Sequence, residues 1–188
     1  MLLVACGPST PDEATTVSQL EKFDLSATTE LSIRDRGFGP EVAASLVEHA
    51  TSLKVLDASG NLLGATGATT LASLSLESLD LGPGRVWIEG NRIGSKGARG
   101  LLASPDGTLV ELDLSKNQIH ADAFEVVTHP LVTLIVDSND LGDEGCIAIG
   151  PDFEELERCV RELSRVARLL ATPSDTPTSS ASPGPGSS

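Results

Sequence analysis

Asp57, Asp80 and Asp113 each sit directly after a leucine and before an apolar residue, and their spacing suits charge recognition better than any other set in the chain. In an L-x-L setting such a side chain points to one face of a short strand. Copies on adjacent strands would form a column of carboxylates about 4.8 Å apart, which would attract lysine or arginine from a partner. A second candidate is Trp87, the single tryptophan, which follows Arg85 in an excursion that opens Gly82-Pro-Gly. Loops on rigid scaffolds carry function, and Trp with Arg is typical of interface anchors. The competing reading is that Trp87 folds back over the edge of the scaffold, and its exposure decides between the two.

Other chemistry is scarce. His49, His120 and His129 share no ligand spacing with cysteines or acids, so no metal site is expected. The stretch from Asp137 to Ala148 begins like a calcium loop, but Leu141 and Ala148 stand where oxygen ligands are required. Gly90-Asn-Arg-Ile-Gly94-Ser-Lys96 has the flavour of a phosphate loop with the wrong spacing. No G-x-S-x-G, H-E-x-x-H or G-x-G-x-x-G motif occurs, and neither a cofactor nor a catalytic residue is expected. Cys146 and Cys159 read as small apolar residues. Cys6 is different: Leu3-Val-Ala-Cys6-Gly resembles the lipobox of bacterial lipoproteins, in which the cysteine is acylated. Only five residues precede it and none is basic, which does not make an export signal. The segment therefore implies a cytoplasmic chain as written, or a cell-envelope lipoprotein if the reading frame starts upstream of Met1.

The positioning elements follow from the leucines. Three segments align as Leu53-Lys-Val-Leu56-Asp-Ala58-Ser-Gly-Asn61, Leu109-Val-Glu-Leu112-Asp-Leu114-Ser-Lys-Asn117 and Leu131-Val-Thr-Leu134-Ile-Val136-Asp-Ser-Asn139. A degenerate copy begins at Thr28, with Arg36 at the asparagine position, and another begins at Leu76. Units of this length bury an apolar edge only against their neighbours, which makes a stack with an extended surface. Leu31, Leu56, Leu79, Leu112 and Leu134 are separated by steps of 25, 23, 33 and 22 residues. The long step marks an insertion of seven residues within 82–90. A core of Leu, Val, Ala and Ile with only 3% aromatic residues suits thin layers. The net charge of −14 and a pI near 4.4 disfavour nucleic acid and anionic lipid as partners and favour a basic one. No run of eighteen apolar residues is present, so no transmembrane helix is expected.

The unit L-x-x-L-D-L-S-x-N-x-I-G-x-x-G-A-x-x-L resembles the leucine-rich repeat of the ribonuclease-inhibitor type. The stretches Asn91-Arg-Ile-Gly94-Ser-Lys-Gly97-Ala-Arg-Gly-Leu101 and Asn139-Asp-Leu-Gly142-Asp-Glu-Gly145 match it well. The resemblance covers 28–150 and implies an α/β fold, a short right-handed solenoid of about five repeats with parallel strands concave and helices convex. It also makes aspartate a common residue at the column position, so the three carboxylates have an architectural reading beside the functional one. The buried asparagines should bond backbone groups at the strand-to-loop turn. Gly97 and Gly145 should let a helix approach the strand layer closely.

Around the repeats, residues 1–16 are expected to be disordered and 17–27 to cap the first unit. Phe153, Leu156, Val160, Leu163, Ala167 and Leu170 form an apolar stripe at helical spacing, so 151–171 reads as a C-terminal capping helix. A partner-binding helix is the alternative. The Pro/Ser/Thr/Gly-rich 172–188 should be disordered. The functional expectation is a non-catalytic protein–protein interaction module, with Arg85, Trp87, Asp57, Asp80 and Asp113 as partner-binding candidates and a protein or basic peptide as partner. Some proteins of this family modulate GTPases or inhibit nucleases, and that regulatory role is the alternative. An enzyme is the third.

Overall fold

The computed structural model describes residues 8–85, 90–105, 107–125 and 127–142. Cys6, Trp87, Cys146 and Cys159, the expected C-terminal helix over 151–171 and the tail 172–188 lie outside the described residues. Five three-residue strands, β1 (Glu30–Ser32), β2 (Val55–Asp57), β3 (Ser78–Asp80), β4 (Glu111–Asp113) and β5 (Thr133–Ile135), form one parallel sheet in sequence order. Each strand places one leucine inward between two outward side chains. Those leucines are in register across the sheet: Leu31, Leu56, Leu79, Leu112 and Leu134. The insertion leaves that register intact, because Leu79 still pairs with Leu112.

Parallel neighbours need a crossover, and it is supplied by α2 (Glu41–His49), α3 (Gly64–Leu71) and α4 (Gly94–Leu102), after a short α1 (Val17–Leu20). Sheet and helices enclose a thin core of Leu, Ile, Val and Ala, with Phe38 and Phe124. The fourth crossover is only a 3-10 turn, Ala121–Phe124. The cause is local. Gly64 and Gly94 enter α3 and α4 with φ of +59° and +62°, a region that glycine adopts freely. His120 occupies the corresponding place with φ −106° and does not make that turn.

Two expectations need correction. Gly97 admits the neighbouring helix rather than the strand layer. A Cβ there would lie 2.9 Å from Ala65 Cα and 3.2 Å from Ala68 Cβ, both on α3. Residues 8–16, expected to be disordered from their polar composition, are ordered against the first strand. Pro11–Glu13 form a 3-10 turn, Ala14 is fully buried, and the Thr16 side chain caps α1. The reason is an open sheet edge. β1 has no preceding strand, so Asp12 Oδ1 accepts from the Ser32 N–H at 3.0 Å, and Arg36 donates to the Asp12 carbonyl. An edge amide needs a partner from outside the sheet, and this segment supplies one. Leu20 and Leu25 extend the cover into the core.

Candidate binding surface

Two columns of polar side chains run across the strands, one inside the stack and one on its face. The inner column is Asn61, Asn91, Asn117 and Asn139. Asn61 Oδ1 accepts from the N–H groups of Arg36 and Phe38 at 3.2 and 3.0 Å, and its Nδ2 donates to the carbonyls of Ile33 and Ala58, both at 2.9 Å. Asn117 Nδ2 donates to Leu81, Leu114 and Ser115 carbonyls at 3.0 to 3.1 Å, while Oδ1 accepts from Ile93 N–H. Asn139 repeats the pattern with the amides of Asn117 and Ile119 and the carbonyls of Leu114 and Val136. Each asparagine thus ties its own unit to the one before it. Arg36 replaces the first asparagine, where no earlier unit exists, and ties the N-terminal segment instead.

The outer column is Asp57, Asp80 and Asp113, aligned by the strand register. Every one uses Oδ1 in the same way, accepting from the amide two residues on: Ser59 at 3.1 Å, Gly82 at 2.9 Å and Ser115 at 2.8 Å. This is the aspartate turn that replaces a backbone hydrogen bond. The Oδ2 atoms differ. Arg34 reaches across from the end of β1, with Nη1 3.6 Å from Asp57 Oδ2 and Nη2 3.9 Å from Asp80 Oδ2. Asp113 has no ion pair among the described residues. Asp80 is the middle of the three and its pKa is raised from 3.8 to about 6. Burial is the main cause, and the charges of Asp113 and Asp57 add to it. The Gly82 amide and Arg34 act in the opposite direction.

The remaining candidates separate. Arg85 is exposed at the end of the insertion's first limb. That limb folds back over the preceding units: Gly60 N–H donates to the Gly82 carbonyl at 3.0 Å, and Arg85 N–H donates to Asp35 Oδ2 at 2.8 Å. Gly84 lies so close to Gly60 that a Cβ would come within 2.9 Å of its Cα. Residues 86–89, with Trp87, lie outside the described residues. The histidines are spent on backbone: His49 Nδ1 donates to Ser45 O, His120 Nδ1 to Asp140 O and His129 Nε2 to Leu101 O. No cluster of three or more His, Cys, Asp or Glu able to hold a metal occurs among the described residues. No described helix is long and apolar enough to cross a membrane.

Sequence reasoning missed a second set of fasteners, on the rim where helices return to strands. Ser52 donates to Ser26 O, Ser104 to Ala72 O, Thr108 to Leu76 O, and Thr128 reaches Leu102 O and Ser104 O. His129 joins them, accepting the Leu109 N–H on Nδ1. The role of Arg34 was also missed: the strand register sets Ser32 beside Asp57, and the guanidinium reaches the carboxylates from two residues further on.

A family model described as leucine rich repeat matches residues 108–123 and 129–150. None of the curated proteins compared with the chain matches it. The two matched stretches, together with the parallel five-strand sheet, support a leucine-rich repeat protein.

Proposed function

We propose that this leucine-rich repeat chain, of the ribonuclease-inhibitor-like type, is a non-catalytic interaction module whose sheet face receives a basic peptide or one basic face of a small protein. The observation that carries the reading is the division of labour within each aspartate. Oδ1 is consumed by the turn on three successive strands, while Oδ2 lies outside it: Arg34 reaches that of Asp57 and Asp80, and Asp113 has no ion pair among the described residues. A preorganised face of this kind loses little entropy on binding, so a few anchors suffice. Its area is small: four strand separations span about 19 Å, the footprint of a short peptide. Arg85 and Trp87, on the insertion, are the proposed second anchor point. The Arg85 amide is pinned to Asp35 Oδ2.

Binding of lysine- and arginine-rich peptides to the full chain, followed by fluorescence anisotropy across a salt series, tests this. The reading expects affinity to fall steeply between 50 and 300 mM salt and to drop about tenfold when Asp57, Asp80 and Asp113 are all changed to Asn. Salt-independent binding, or binding indifferent to that triple change, would refute it.

A further inference from the structure

The sheet face is not uniform along its length. Over β2 and β3 the carboxylates Asp57 and Asp80 already have a guanidinium, that of Arg34. Over β4 and β5 no cation of the described residues approaches Asp113, and Glu111 is exposed, contacted only by the Ser78 hydroxyl at 3.3 Å. The same end carries uncovered apolar side chains. Val132 is 73% exposed, the most exposed large hydrophobic residue among those described, and Val110 is 36% exposed. The two are direct neighbours across the strands, since the Val132 N–H donates to the Val110 carbonyl at 2.8 Å. In the first units this row is charged: Lys54 pairs with Glu77 at 3.5 Å. The row therefore changes from a closed ion pair to a bare valine pair where the column above it loses the guanidinium that offsets part of its charge.

We infer that the docking site lies on the last two strands, and that its partner is a peptide segment carrying one lysine or arginine and one aliphatic or aromatic residue about 10 Å apart. The basic residue meets Asp113 and Glu111, and the apolar residue covers Val110 and Val132. The spacing follows from the strand itself. Val110 and Asp113 are three residues apart, and a strand rises about 3.3 Å per residue. Side chains of an extended partner alternate between faces, so it comes nearest with positions i and i+2 or i+4, whereas a helical one matches with i and i+7. Charge supplies orientation and encounter, and the valine pair supplies the water-excluded anchor that a carboxylate row alone lacks. This inference rests on the interaction reading above and narrows it to one end of the face.

A random dodecapeptide library displayed on phage and selected on the full chain tests it. Enriched peptides should carry Lys or Arg with Leu, Ile, Phe or Trp at i+2 or i+4 if extended, or at i+7 if helical. Synthetic copies should lose about tenfold in affinity on Val132→Glu and about fivefold on Asp113→Asn, a change that keeps the Ser115 amide satisfied. Arg34→Gln should leave these peptides unaffected while strengthening purely polybasic ones. If the selected peptides bind through Asp57 and Asp80 and ignore Val132 and Asp113, the inference fails and the broader reading stands. If no basic peptide is enriched at all, both fail. A chain that self-associates through Val132, with Val132→Glu restoring the monomer in sedimentation, would assign the valine pair to a second copy and overturn the inference. Circular dichroism of both variants guards against loss of fold.

Discussion

Asn117 and Asp113 stand four residues apart in one unit and carry side chains of nearly the same shape, yet they do opposite work. The amide lies inside the stack, fully buried, with both its oxygen and its nitrogen committed to backbone. The carboxylate lies half-buried on the face, with one oxygen committed to Ser115 and no ion pair among the described residues. The contrast recurs in the unit of Asn61 and Asp57. One period thus writes a column that holds the units together and a column that lies on the face. On the proposed reading the architectural and functional roles of each aspartate coexist, one oxygen serving the turn and the other a partner.

The inner column should be the harder to disturb. Replacing Asn117 with Ala leaves the Ile93 amide and the Ser115 carbonyl without their partner in the buried stack, and takes one of two donors from the Leu81 and Leu114 carbonyls, which Asn91 and Asn139 still reach. A buried group left unsatisfied costs about 1–3 kcal/mol, so the change should lower stability by roughly 3 kcal/mol or more, read as a shift in the urea midpoint. Asn139→Ala removes a similar set of bonds from a part-buried position at the last described strand, and roughly 1–2 kcal/mol is expected. Equal costs at the two positions would break the idea that interior burial sets the value of the rung. On the outer column, Asp113→Ala should cost about 1 kcal/mol by orphaning the Ser115 amide. Asp113→Asn should fall within about 0.5 kcal/mol of the parent while weakening a basic ligand. If Asn were as damaging as Ala, the free oxygen would belong to the scaffold after all.

How much of this was legible in the sequence depends on whether a feature repeats. The asparagines and the inward leucines recur at a fixed offset, so strand order, register and the fastening role could all be read from them. The opposite rim could not be read, because Ser52, Ser104, Thr108, Thr128 and His129 are of different types at uneven offsets. They are set by where each loop happens to pass a free carbonyl. Asp12 escaped for a related reason: a polar, Pro-containing stretch has the composition of a tether. Its value arises only from the edge amide of Ser32, a tertiary fact. The three-dimensional neighbour also decides the charge of the outer column, since Arg34 acts on units that lie 23 and 46 residues further along the chain.

Asp80 gives the finest test of the difference between the columns, because it is the outer residue closest to being an inner one. Its pKa near 6 in the folded chain, against 3.8 for the free side chain, means that the fold binds this proton more tightly than the unfolded chain does. Stability contributed by this group therefore falls as pH rises from about 4 to about 6, and is flat outside that window. A shift of two units corresponds to about 3 kcal/mol, but the side chain is 36% exposed, and solvent screening reduces the effect to roughly 1 kcal/mol. Asp80→Asn keeps an oxygen for the Gly82 amide and removes the ionised form. The variant should thus be about 1 kcal/mol more stable than the parent at pH 7.5, and the advantage should vanish near pH 4, as measured by paired urea titrations. An advantage of the same size at both values would point to packing, and a loss at pH 7.5 would mean that Arg34 holds the ionised carboxylate more firmly than its 3.9 Å approach suggests. The same titration bears on function. Below pH 6 the column loses its middle charge, so a basic peptide that engages Asp80 should bind less tightly at pH 5 than at pH 7.5, whereas one confined to Asp113 and the valines should not.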